Sequence, residues 1–170
     1  MIMRAFVVVA GLAGAVAASQ IPELMQQYRQ RLGGAVDELR RVVEDFDADV
    51  AGEGLTRKNA LERYHVSRDT FFNRRGVSMT RTLERFDRIA AHRTALIDAT
   101  AIERPVLFWR YRDPELFDGT VGDFRPAIPT TAEGAVYAFG GFFAGAALMA
   151  LLLGLLRWVG RLFRRPEPVS

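Results

Sequence analysis

The 170 residues contain no cysteine, which excludes a disulfide framework and a thiolate metal site while leaving the redox compartment open. Histidine is almost as scarce. His65 and His92 stand 27 positions apart, so neither belongs to the i, i+4 ligand pair of a helical metal site. A phosphate-cradling glycine loop, a dinucleotide fingerprint and a glycine-flanked serine elbow are all missing, and Ser67 and Asp69 near His65 do not make a triad by spacing alone. The acidic run at Asp45, Asp47 and Asp49 has the alternation of a calcium loop. It carries Val50 where the sharp turn needs glycine and Thr56 where a bidentate glutamate belongs. It reads better as a solvated helix end whose carboxylates pair with Arg57, Lys58 or Arg63. No enzyme, cofactor, catalytic residue or metal ligand is therefore expected.

Charge is missing from two stretches, and these organise the chain. From Ala5 to Ala18 there is none, and from Gly134 to Leu156 there are 23 consecutive uncharged residues. As a helix the second run would be ~34 Å long, enough to cross a ~30 Å hydrocarbon core with slight tilt. A core helix of this kind would need apolar cover on every side, which so short a chain does not supply. Residues 134–156 are expected to be a transmembrane helix, and residues 1–21 a second anchor or a signal peptide.

The net charge of +3 is unevenly spread. Pro22 to Glu133 holds 18 basic against 19 acidic residues, so the surplus lies in the tails, at Arg4 and at Arg157, Arg161, Arg164 and Arg165. A nucleic-acid binder would carry its cations on the folded domain, so no nucleic-acid partner is expected. Arginines beside hydrophobic helices are retained on the cytoplasmic side. Both termini, including the tail 157–170, should be cytoplasmic, with the 112 residues between the spans outside the cytoplasm.

That middle region reads as all helical. Ile21, Met25, Tyr28, Leu32, Ala35, Leu39, Val42 and Phe46 recur at alternating four and three residues, a heptad seam like that of a coiled coil over roughly 22–50. "AGEGLT" breaks it, with Gly52 and Gly54 available for a left-handed cap and Thr56 for the next N-cap. Leu61, Tyr64, Phe71 and Phe72 lead to "RRGVS", where Gly76 is a candidate terminator and Ser78 a new start. Met79, Leu83, Phe86, Ile89, Ala90 and Ile97 continue at helical spacing to about Ile102, and Pro105 ends the run. Whether 56–103 forms one helix or two is open. Residues 104–133 read as a connector rich in proline and aromatics, with one short helical turn begun by Asp113 and Pro114.

The fold class expected is all-α: two transmembrane helices flanking an extracytoplasmic helical domain over 22–103, either a bundle or antiparallel hairpins. Gly11, Gly14 and Ala18 in the first span and Gly141 and Gly145 in the second are helix-packing candidates, since small residues let backbones approach in lipid. They would join the two spans of one chain or two chains. Phe108, Trp109, Tyr111, Tyr137 and Trp158 are candidates for the lipid interface, although a cluster like the first three more often caps a small helical core.

The stretch "GAVAASQIPELMQQY" can be read in two ways. Ala15 and Ala17 have the spacing of a signal-peptidase site before Ala18. Against cleavage, the seam extends backwards from Ile21 through Ala18, Gly14, Gly11 and Val7, as in one helix packed along its length, with Pro22 as the place for a kink or restart. The retained anchor is favoured.

The blocks "SQIPELMQQYRQRLGGAVDEL" (19–39) and "FRPAIPTTAEGAVYAFGGFFAG" (124–145) resemble the two ends of a bacterial family known as domain of unknown function 2937. The resemblance implies a small bacterial membrane protein and supplies no activity, cofactor or site residue. The expected function is a non-enzymatic interaction or structural module. Its expected partners are the lipid bilayer and either a second copy or another membrane or periplasmic protein. A binding module for lipid or another apolar ligand is the alternative, and a membrane-bound enzyme a remote one.

Overall fold

The computed structural model describes residues 1–128 and 130–162. Among these residues the chain is all helical, with six helices and no strand: α1 (Ile2–Gly52), α2 (Arg57–His65), α3 (Thr70–Asp98), α4 (Glu103–Tyr111), α5 (Pro114–Gly122) and α6 (Ala132–Leu162). They form two compact units, one of Met1–Leu24 with Phe124–Ser170 and one of Met25–Asp123. Helix α1 contributes to both.

In the first unit, α1 and α6 are each long and apolar enough to cross a membrane. Helix α1 passes through Pro22 without a break, although proline cannot donate to the Ala18 carbonyl one turn earlier. The Ser19 hydroxyl donates to the Val16 carbonyl at 2.8 Å. Phe6, Val9, Leu12 and Val16 on α1, and Phe139, Leu148 and Leu151 on α6, are exposed.

In the second unit the buried face of α1 is Met25, Tyr28, Leu32, Val36, Val43, Phe46 and Val50. This stripe follows the 3.6-residue turn of a straight helix more closely than the strict heptad, which drifts off it onto Ala35 and Val42. Different helices cover the stripe along its length: α2 and α3 at Val43, Phe46 and Val50, and α3 and α4 at Tyr28, through His92 and Phe108.

The turn after α1 uses Gly54, whose φ of 64° is the left-handed conformation that glycine adopts without strain. Thr56 then caps α2 by accepting from the Asn59 amide at 3.2 Å. Arg57 donates through Nε to Asp47 at 2.9 Å, and that hydrogen bond holds the Asp47 carboxyl below its ordinary range. Val43, Phe46, Val50, Ala60, Met79 and Leu83 form one apolar cluster among α1, α2 and α3.

Residues 56–103 contain two complete helices, α2 and α3, and the start of α4, with the α2–α3 break at Val66–Asp69 and not at Gly76. Asp69 caps α3 by accepting from the Phe71 amide at 2.8 Å. Gly76 lies buried inside α3, where an added Cβ would come 2.6 Å from the Tyr64 Cβ. It is glycine because α2 lies directly on it. The local rule that reads glycine as a helix stop is overridden by tertiary packing.

The region expected as a connector contains two further helices. Thr100 and Glu103 make a reciprocal capping pair before α4: the Thr100 amide donates to the Glu103 carboxylate at 3.1 Å and the Glu103 amide to the Thr100 hydroxyl at 3.3 Å. Asp113 caps α5, accepting from the Leu116 amide at 3.1 Å, with Pro114 in the first turn. Phe108 and Leu116 carry both helices into the core.

Candidate functional site

Two places in the molecule bring unusual groups together, one in each unit. In the first unit the small residues of α1 and α6 meet backbone to backbone. A Cβ on Gly14 would strike the Gly141 carbonyl, with the Gly145 Cα 3.3 Å away, and one on Gly141 would lie 2.5 Å from the Ala18 Cβ. A Cβ on Gly145 would strike the Ala10 carbonyl, and one on Gly11 would lie 2.7 Å from the Phe142 ring. By contrast Gly140, Gly154 and Gly160 on α6 have nothing within 4 Å of such a Cβ. The helix-packing candidates Gly11, Gly14, Ala18, Gly141 and Gly145 thus lie at a single contact between two helices of one chain.

The ends of this helix pair are also tied. The Gln20 side-chain amide donates to the Ala127 carbonyl at 3.2 Å and accepts from the Ala127 amide at 3.1 Å. At the opposite end the Arg157 guanidinium contacts the Met3 sulfur. Arg4 and Arg157 therefore stand at the same end of the pair. Arg161 is exposed near the end of α6, whereas Arg164 and Arg165 lie outside the described residues. Tyr137 is half-buried and Trp158 exposed.

In the second unit a polar knot is closed inside the core. Tyr28 of α1 has no exposed surface, and His92 of α3 and Asp113 before α5 are 4% and 7% exposed. The Asp113 amide donates to the Tyr28 hydroxyl at 2.9 Å, and that hydroxyl lies 3.3 Å from His92 Nδ1. Because the oxygen already accepts from Asp113, its own proton is free for Nδ1, which favours the tautomer with hydrogen on Nε2. Nε2 is buried and finds no acceptor in hydrogen-bonding geometry. Burial holds the imidazole below its ordinary pKa, against the opposing pull of the Asp113 carboxylate and the Leu107 carbonyl. Burial likewise raises the Tyr28 phenol. The Asp113 carboxylate faces Arg85 at 3.5 Å and Arg88 at 3.8 Å, and Arg85 reaches Glu115 at 2.8 Å.

Aromatic rings surround this knot. Phe108 stands edge-on to Tyr28 with centroids 5.0 Å apart and also touches Trp109 and Phe117. Arg112 lies over the Trp109 and Phe117 rings, 5.0 and 4.9 Å from their centroids. Phe108, Trp109 and Tyr111 have separate places: Phe108 is wholly inside, while Trp109 and Tyr111 are about half exposed. Ser67 and Asp69 are occupied locally, the Ser67 hydroxyl accepting from the Asp69 amide at 3.2 Å and the Asp69 carboxylate capping α3. His65 approaches Thr80 at 3.4 Å.

Sequence reasoning passed over His92, Tyr28 and Asp113 as a set. One signal was available, since His92 falls three residues after Ile89 and four before Leu96, on the apolar stripe of α3. No spacing rule joins it to Tyr28, 64 positions earlier, or to Asp113, whose amide bonds to Tyr28 across 85 positions.

These features define an all-helical protein with a helix of membrane-spanning length near each end and a separate helical unit between them. The chain belongs to the family described as Protein of unknown function (DUF2937), whose sequence model matches residues 2–162. No curated protein and no solved structure matches the chain.

Proposed function

We propose that the protein is a non-enzymatic membrane protein of the bacterial inner membrane, in which α1 and α6 form a two-helix hairpin anchor. On this reading, the helices of Met25–Asp123 form an extracytoplasmic bundle that recruits a protein partner or a second copy. The observation that carries the reading is the glycine-to-carbonyl approach of α1 and α6 at Gly14, Gly141 and Gly145, combined with outward faces of exposed apolar side chains. Close backbone approach through small residues is how helices associate where lipid removes the hydrophobic drive. Exposed apolar surface on such a scale is rare on a soluble monomer.

The orientation rests on Arg4, Arg157 and Arg161, of which the first two flank the same end of the helix pair, together with Arg164 and Arg165 in the sequence. Because the small faces meet within one chain, association with a partner falls to other surfaces. The non-enzymatic part rests on the sequence, which carries no catalytic or cofactor motif. A topology reporter fused after Ser170 should be active only in the cytoplasm, and one inserted in the Gly52–Gly54 turn only outside it. The reverse pattern overturns the orientation. Crosslinking in intact membranes together with co-purification in mild detergent should return a complex, and a monomer in both would end the interaction reading.

A further inference from the structure

A cavity of about 710 Å³ opens between α3 and α4, beside the polar knot and inside the second unit. Its size lies within the ~300–1,000 Å³ range of small-molecule sites. Ile89, Ala91, Ala95 and Leu107 supply an apolar wall, and Arg88, Arg110 and Arg112 supply cations at its margin. Asp113 is the one carboxylate in that wall, and it is engaged by Arg85 and Arg88 at 3.5 and 3.8 Å. Among the described residues neither Arg110 nor Arg112 has a carboxylate within 4 Å. The Arg110 guanidinium lies over the Tyr111 ring, 5.4 Å from its centroid.

The cavity therefore combines apolar walls with the Arg110 guanidinium, which lacks an anion, whereas Arg112 donates to the Trp109 carbonyl and lies over the Trp109 and Phe117 rings. A neutral apolar ligand would leave Arg110 unused. A free inorganic anion would leave the apolar wall wet.

We propose that this cavity binds one amphiphilic anion, with a carboxylate or phosphate head paired to Arg110 and an apolar body lying against Ala91, Ala95 and Leu107. The bidentate fork of arginine suits both heads equally. The same chemistry is offered by a free monoacyl acid and by an acidic lipid. The site lies wholly within Met25–Asp123, so it does not depend on the anchoring reading.

The test is equilibrium binding of labelled dodecanoate to the full chain in phosphatidylcholine nanodiscs, with dodecanol as the uncharged counterpart. Saturable binding of one dodecanoate per chain is expected, at least tenfold tighter than dodecanol. Arg110→Ala removes an exposed side chain without an ion pair, so the fold is retained, and it should weaken dodecanoate at least tenfold while leaving dodecanol unchanged. Ala95→Trp fills the cavity from a half-buried position and should abolish both. Displacement of dodecanoate when phosphatidylglycerol is included in the nanodisc identifies a lipid source, and undiminished binding identifies a free acid. Absence of saturable binding, equal affinity for the alcohol, or indifference to both substitutions overturns the proposal.

Discussion

Replacing Tyr28 with phenylalanine tests the central structural claim about the second unit. The ring keeps its volume and its edge-on contact with Phe108, so no cavity opens and the change is confined to one oxygen. Its loss removes the hydrogen bond from the Asp113 amide at 2.9 Å and the contact with His92 Nδ1 at 3.3 Å. A net hydrogen bond contributes ~1 kcal/mol, but a buried donor left without a partner costs ~1–3 kcal/mol. Asp113 sits at 7% exposure, where water does not readily take the place of the hydroxyl. The longer His92 contact adds a smaller amount. Tyr28→Phe should therefore destabilise the unit by about 2–4 kcal/mol, a large share of the ~5–15 kcal/mol typical of a domain. Urea unfolding of the full chain in mild detergent measures the total, and hydrogen exchange locates it. The Asp113 amide and the first turn of α5 should lose protection most. A loss below about 0.5 kcal/mol with Asp113 still protected would mean that the knot does not hold α5 to α1.

Three further expectations follow from the same geometry. Gly76→Ala gains helix propensity of about 1 kcal/mol but sets a methyl 2.6 Å from the Tyr64 Cβ, and overpacking of ~1–3 kcal/mol should win; a stabilised variant in urea would show that α2 does not rest there. Gly14→Val drives a side chain into the Gly141 carbonyl, whereas Gly140→Val meets nothing within 4 Å, so only the former should separate α1 from α6, as read by crosslinking of cysteines introduced into an otherwise cysteine-free chain; equal yields from both variants would refute the contact. Burial depresses His92, so the unfolded chain takes up a proton first as the pH falls. Stability should drop from about pH 6.5 downward until folded His92 is also protonated. The Tyr28 phenol is raised, so stability should fall again as the pH rises above about 10. An unfolding midpoint flat between pH 7 and 5 would contradict the histidine part.

How far the sequence could be read depends on whether the signal is local. The two uncharged runs, the break at Gly54, the cap at Thr56 and the start of α5 at Asp113 and Pro114 are written in adjacent residues, and each has a direct local cause. Gly76 looks the same as a helix stop in sequence; only the presence of Tyr64 above it turns it into a packing residue. Ile97, expected at helical spacing on the apolar face, is exposed, and Leu96 is buried in its place, because the buried stripe of α3 runs through Ile89 and His92 and reaches Leu96 four residues later. The knot was least legible. Its members lie in different helices, and each alone resembles an ordinary core tyrosine, a stray histidine and a helix cap.

The capping residue of α5 also has a consequence for the order of folding. Nine residues are too few to hold a helix unaided in water, and α5 is anchored by Asp113, whose amide bonds to a hydroxyl 85 residues earlier in the chain. During synthesis, Tyr28 and the apolar stripe around it emerge long before the group that completes them. For that interval α1 presents an unfinished surface to the surroundings, and the arrival of α5 closes it. The helix made latest in the second unit is thus the one that ends the exposure of the helix made first.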